Sequence, residues 1–300
     1  MTNRSGSGTP PRLNPMTYAP LIGAIAAPDL HVMSFNIRRR MTRLIPRSPD
    51  RWEHRQPLIR RMLETEQPAI LGAQEALPDQ ASFVRHALGD HYRSVGYGRN
   101  ANKRGEGCPL FYDRDRLELL DWAQLALSDS PSVPGSTSWG NTTPRVVVNA
   151  TFRDRVTGIH FRALNTHFDQ FSRRSRMMSA DEILRLVAES SLPTVVTGDF
   201  NTDAESLPHA RLTGAGALVD CWNGSETRLS ESWGTFPNYL APTLERKRID
   251  WILVTPTVEV LRSAINVTRY EGAWPSDHAP VQAVIAFQEA QGGHPTPRTQ

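Results

Sequence analysis

The sequence predicts an α/β protein of two mixed sheets packed face to face with helices outside. Two observations carry this: apolar or alternating runs of strand length outnumber helical patterns, and helices separate only some of the runs. A doubly wound parallel sheet would need a helix between nearly every pair of strands. In order, the strand runs are HVMSFN (31–36), AILGAQE (69–75), VVVNATF (146–152), FRALNTH (161–167), TVVTGDFN (194–201), IDWILV (249–254) and VQAVIAF (281–287). Helical patterns cover 56–66, 79–88 and 173–190.

Residues 1–29 are rich in Ser, Gly, Pro and Thr, and 289–300 form a polar tail, so both ends are expected to be disordered around one domain at 30–288. Two cysteines without a CxxC pair argue against a disulfide framework or a cysteine zinc site. No apolar run approaches the ~20 residues that span a bilayer. The N-terminus matches a signal peptide poorly, so a cytoplasmic protein is expected over a secreted one, and a monomer. Lys and Arg number 34 against 31 Asp and Glu, an excess too small to identify an anionic partner.

The chemistry lies where the apolar runs stop: Asn36, Glu75, His167, Asp199, Asn201, Asp250, Asp277 and His278. Strand alternation in TVVTGDFN puts Thr197, Asp199 and Asn201 on one face, so a carboxylate that can take a proton from water lies beside an amide that can orient it. Glu75, with Asp277 and Asn36, makes an oxygen-rich set suited to Mg2+, with Mn2+ substituting. The nine histidines contain no HxH or HxxxH pair, which disfavours zinc and leaves them free as acids, bases or donors. Asp277 and His278 are neighbours, and a loop after Pro275 would let both reach one place. Asp250 enters an apolar strand and needs a partner, either an imidazole it orients or Arg248 in a structural ion pair. Any one of these residues alone would more often be a cap or a satisfied core group.

Their joint order is what is specific. SFNIR, QE, NTHFD, TGDFN, RIDWILV and SDHAPV resemble the signature blocks of the endonuclease/exonuclease/phosphatase superfamily, from about His31 to Phe287. RGEGCPLFYDRDRLELL and PGSTSWGNTTPR resemble a bacterial branch, and GCPLFY also resembles the deadenylase-like branch. The resemblance implies a DNase I-like, four-layered α/β sandwich and a metal-dependent phosphoesterase. It implies that Asn36, Glu75 and Asp277 bind or surround the metal, that Asp199 and Asn201 handle the attacking water, that Asp250 orients His278, and that His167 contacts the phosphate. The NTH block and the SFNIRRR first motif disfavour an abasic-site endonuclease.

Arginines and lysines flank these blocks: Arg38, Arg39, Arg40 and Arg43; Arg99, Lys103 and Arg104; Arg173, Arg174 and Arg176. Arg145 and Arg176 are candidate substrate contacts, the alternative being a solvated face. Trp139, Trp233, Phe236 and Tyr239 lie in loops and either stack a base or sugar ring or pack beneath the loop. The reaction expected is Mg2+-dependent hydrolysis of a phosphodiester in nucleic acid or a nucleotide. The alternative is a phosphatase or phosphodiesterase for a lipid, inositol or other small phosphorylated molecule. A non-catalytic binding module would not need this whole set.

Overall fold

A computed structural model describes residues 18–42 and 45–287. Thirteen strands and five α-helices follow in chain order: β1 Leu30–Asn36, α1 Trp52–Glu66, β2 Ile70–Gln74, α2 Pro78–Leu88, β3 Tyr92–Val95, β4 Leu110–Asp113, β5 Leu117–Ala126, β6 Val146–Asp154 and β7 His160–His167. They continue with α3 Arg173–Ala188, β8 Thr194–Asp199, α4 Leu207–Thr213, β9 Val219–Asp220, α5 Cys221–Gly224, β10 Thr227–Arg228, β11 Asp250–Val254, β12 Val258–Ile265 and β13 Val281–Phe287. One sheet runs β10-β12-β13-β1-β2-β4-β3 and the other β5-β6-β7-β8-β11-β9.

Three apolar layers hold these sheets. Leu30, Val32, Ile70, Val148, Phe152, Val195, Ile252 and Ile285 form the core between them. The opposite side chains of the same strands face outward, because successive residues alternate sides. Met33, Phe35, Leu71 and Phe111 thus meet Leu58, Ile59, Met62 and Leu63 of α1, whose spacing makes one helical stripe. Leu164, Val196, Trp251 and Leu253 meet Ile183 and Leu186 of α3. Helix, sheet, sheet, helix is the four-layered, DNase I-like sandwich expected.

Toward one edge the inter-sheet core turns polar. Asn165 of β7 donates to the carbonyls of Ala73 (2.8 Å) and Cys108 (3.0 Å), and accepts from Gln74 Nε2 at 2.7 Å. Thr197 of the second sheet also donates to Asn165 Oδ1, at 3.0 Å. Gly72 of β2 permits this approach, since a Cβ there would stand 2.1 Å from Thr197 Oγ1.

The seven runs read as strands are strands. The strands missed are mainly marginal ones. β5 lies at a sheet edge with much of its length exposed, and a register shift between Val260 and Arg262 breaks the alternation of β12. The ordered chain also begins before residue 30. The Glu66 carboxylate, at the end of α1, accepts from the N–H groups of Leu21 (2.8 Å), Ile22 (3.1 Å) and Gly23 (3.1 Å), and the Tyr18 ring lies 4.9 Å from that of Tyr270. That anchoring corrects the expectation of disorder for 18–29. The remaining expectations for the ends, 1–17 and 289–300, lie outside the described residues, as does Arg43.

Gly72→Ala is expected to destabilise the protein by about 1–3 kcal/mol through overpacking against Thr197 and Asn165. Denaturant unfolding checks this, and an unchanged midpoint would contradict the close approach of the sheets.

Candidate active site

Strand direction assembles the site. β1 with β2, and β7 with β8, are parallel pairs, so their C-terminal ends lie at one edge. β11 and β13 run antiparallel to their neighbours and present their starts there. Register then sets His167 opposite Asp199, and Asp250 opposite Asp199. Asp277 and His278 come from the loop before β13, where Ser276 Oγ donates to the Asn36 carbonyl at 2.7 Å. All eight residues read from strand ends are therefore brought to one edge of the sandwich. Asn201 arrives by another route: it lies beyond β8 in a left-handed conformation (φ 51°), which turns its side chain back to the site.

Asp199 is the hub. Its Oδ2 accepts from Asn36 Nδ2 at 2.9 Å and stands 3.4 Å from His167 Nε2 and 3.7 Å from His278 Nε2. Its Oδ1 accepts from the Asn201 N–H at 2.9 Å. Asn36 Oδ1 takes the Arg38 N–H at 2.9 Å, which turns the amide nitrogen toward Asp199 and toward Glu75 Oε1 (3.2 Å). Asn201 Nδ2 donates to the Phe168 carbonyl at 3.0 Å. That bond fixes the amide, so Nδ2 also donates to His167 Nε2 at 2.8 Å and the ring must be neutral there. On the other histidine, Nδ1 is 2.9 Å from Asp250 Oδ2. Asp250 thus orients His278, while Arg248 pairs with Asp220 at 2.7 Å, so the proposed Arg248–Asp250 ion pair does not form.

Burial separates the two imidazoles. Burial lowers the His167 pKa well below the ordinary range, and Arg145 and Arg99 act in the same direction. Burial also opposes charge on His278, but Asp250 and Asp199 outweigh it and raise its pKa from 6.5 to about 10. Burial, then the nearby Asp250 charge, lifts Asp199 to about 7. Burial likewise raises Asp277. Glu75 ends below the ordinary carboxylate range because the Arg39 N–H, His278 and Arg38 overcome its burial.

Two places could hold a cation. Asp199, Asp250 and His278 offer ligand atoms within 4.8 Å of one another. There, however, both ring nitrogens face carboxylates and the charged ring has no free lone pair. Glu75 and Asp277 suit a hard cation better. They already share one positive group, with Arg38 Nη1 3.8 Å from Glu75 Oε2 and Arg38 Nε 3.4 Å from Asp277 Oδ2.

Arg145 is brought to the centre: it is 4% exposed, its Nε lies 3.4 Å from Asp169 Oδ2, and its Nη1 is buried without a hydrogen-bond partner among the described residues. It lines a small cavity with Arg99, Glu75 and His167. Arg176 lies elsewhere, donating to the Asp169 carbonyl at 2.8 Å and lining a neighbouring cavity that includes Asn201. Much of the basic flank is neutralised. Arg38 pairs with Asp50 at 3.1 Å, Arg39 and Arg99 share Glu106 at 2.7 and 2.8 Å, and Arg40 meets Asp79 at 3.4 Å. Lys103 sits over the Tyr97 ring, at 4.7 Å. The partners Asp50, Glu106 and Asp169 were not assigned from sequence, though Asp169 lies within the NTHFD block. Of the loop aromatics, Trp139 is buried and donates to Asp129 at 2.7 Å, Trp233 packs beside a small apolar cluster, and Tyr239 donates to Asp50 at 3.0 Å. Phe236 alone among these four meets a catalytic candidate, its ring 4.7 Å from that of His278.

The two packed mixed sheets with helices outside make this a DNase I-like α/β sandwich. The profile of the Endonuclease/Exonuclease/phosphatase family matches residues 33–278. A family protein from Bacteroides thetaiotaomicron superposes with TM-score 0.82 at 30% identity, covering 87% of this chain and 98% of that one. A mannosyl-6-phosphatase from the same species superposes with TM-score 0.79 at 29% identity, covering 86% of this chain and all (100%) of that one. Among curated proteins, Drosophila melanogaster Nocturnin is 25% identical over 182 residues, 56% of this chain and 27% of that protein. The chain covers between 27% and 62% of the length of the curated relatives it matches. This chain belongs to the Endonuclease/Exonuclease/phosphatase family, whose members are hydrolytic phosphoesterases and generally depend on a divalent metal.

In chelator, the His278 ring should remain protonated through neutral pH. Its folded pKa of about 10 lies above 6.5, so its stabilising contribution is complete below 6.5 and is lost as pH rises toward 10. NMR titration checks this; Asp250→Asn should move the titration down, and a parent midpoint near 6.5 would contradict the arrangement.

Proposed function

We propose that this chain hydrolyses a phosphate ester of a small phosphorylated molecule or nucleotide, using Mg2+, or Mn2+ in its place, held by Glu75 and Asp277 with Asn36 beside them. The observation that carries the reading is the convergence of Asn36, His167 and His278 on the single Asp199 carboxylate. Bound there, the cation would neutralise charge on phosphoryl oxygens.

The side chains divide the remaining work. A pKa of about 7 suits Asp199 to take a proton from water near neutral pH. His278, held charged by Asp250, cannot accept that proton and instead donates toward developing negative charge. Asn201 holds the neutral His167 ring beside Asp199, and the free Arg145 Nη1 supplies a donor for a phosphoryl oxygen.

The substrate reading follows from the arginines. A long polyanionic track needs unpaired cations along the cleft. Arg38, Arg39, Arg40 and Arg99 face carboxylates instead. That favours a compact substrate over a nucleic-acid chain, and a relative of nearly equal extent is a mannosyl-6-phosphatase.

Hydrolysis of p-nitrophenyl phosphate and its bis ester tests the reading. Chelation should abolish activity, and Mg2+ or Mn2+ should restore it better than Zn2+. Asp199→Asn, His278→Ala and His167→Ala should each lower kcat by about a hundredfold or more while the protein stays folded. Glu75→Gln should raise the Mg2+ concentration required. Undiminished turnover in excess EDTA would remove the metal from the account, and normal kcat in Asp199→Asn would remove the proposed base.

A further inference from the structure

Beside the catalytic centre lies a second cavity of about 350 Å³, which Asn201 helps to line. Asn201 contributes to both, holding His167 with its amide nitrogen while lining this space. Three cations surround the cavity: Arg173 and Arg176 at the start of α3, and Lys247 from the segment before β11. Among the described residues, no aspartate or glutamate lines it. This differs from Arg38, Arg39, Arg40, Arg99 and Lys103, each of which faces a carboxylate or a ring. Arg176 is tethered to the Asp169 carbonyl by Nη1, which leaves the rest of its guanidinium for another acceptor. Ser206, whose hydroxyl has no hydrogen-bond partner among the described residues, lines the same wall.

Like charges gathered around one concavity raise the energy of the empty protein and lower that of an anion-bound one. Arginines in the first turn of a helix also oppose its dipole, so α3 itself gains nothing from Arg173. Exposed leucine at Leu207, on the rim, supplies an apolar edge beside the cations.

We propose that Arg173, Arg176 and Lys247 form an anion subsite that seats a second phosphate of the substrate while the scissile phosphate lies at Asp199. This rests on the phosphoesterase reading above and narrows it to bisphosphorylated compounds, whether nucleotides or sugar phosphates. The subsite makes no covalent change; it holds one end of the substrate and so orients the other.

Calorimetric binding in Mg2+ to the full chain carrying Asp199→Asn, which the reading above leaves without its base, tests it with two matched pairs: thymidine 3′,5′-bisphosphate against thymidine 5′-monophosphate, and fructose 1,6-bisphosphate against fructose 6-phosphate. In at least one pair the bisphosphate should bind about tenfold tighter or more, and the pair showing it identifies nucleotide or sugar as the source. In R173A/K247A, whose two side chains are exposed, that ratio should fall toward one, with an unchanged unfolding midpoint as the control for folding. Ratios near one in both pairs for the parent, or an advantage that survives the substitutions, would overturn the proposal. Failure of the phosphoesterase reading registers separately, as no Mg2+-dependent hydrolysis of the p-nitrophenyl esters, because the binding ratio is measured without turnover.

Discussion

The site depends on one contact between the sheets, the 2.9 Å hydrogen bond from Asn36 Nδ2 to Asp199 Oδ2. Asn36 ends β1 in one sheet and Asp199 ends β8 in the other, so the bond exists only if the two sheets close at this edge in register. The polar layer beneath it enforces that closure. Asn165 ties β7 to backbone carbonyls of the facing sheet, and Gly72 removes the one side chain that would keep Thr197 away. Apolar packing alone would tolerate a small slide between the sheets, whereas directional bonds to buried carbonyls do not.

Closing the sheets there buries several ionisable groups, and the arrangement offsets that cost pairwise. Asp250 neutralises His278, Arg38 bridges Glu75, Asp277 and Asp50, and Asn36 donates to two carboxylates at once. Arg55 is fully buried and braces the first motif from behind, donating to the carbonyls of Ile37 and Arg38. Backbone strain falls in the same place: Arg38, Glu75 and Asn201 all have positive φ, at 54°, 61° and 51°. Non-glycine residues persist in that region when surrounding structure over-determines them, as happens where side chains must be aimed at a shared point.

Much of this was legible in the sequence because it depends on local pattern. A run of apolar residues that stops at a polar one marks both a strand and its end, and strands that end together make a site. The cost of a lone buried carboxylate called for a partner to Asp250 but left an imidazole and Arg248 open, and only the family resemblance pointed to His278. What stayed hidden was set by tertiary partners. Nothing in SFNIRRR shows that Arg38, Arg39 and Arg40 face Glu75, Glu106 and Asp79, so they read as a basic flank. Alternation sets Asn201 on the face of Asp199, but β8 stops at Asp199 and a left-handed turn is what brings the Asn201 side chain back. The segment 18–29 is mostly apolar but follows a Ser-, Gly- and Pro-rich stretch, and it is held by three bonds to Glu66, a residue distant in sequence.

The central claim is that water activated at Asp199 attacks phosphorus. Hydrolysis of p-nitrophenyl phosphate in water enriched in oxygen-18, with Mg2+ present, tests this most directly by mass spectrometry of both products. The account requires one labelled oxygen in the inorganic phosphate and none in the p-nitrophenol. Label in the p-nitrophenol, or phosphate released without label, would contradict it.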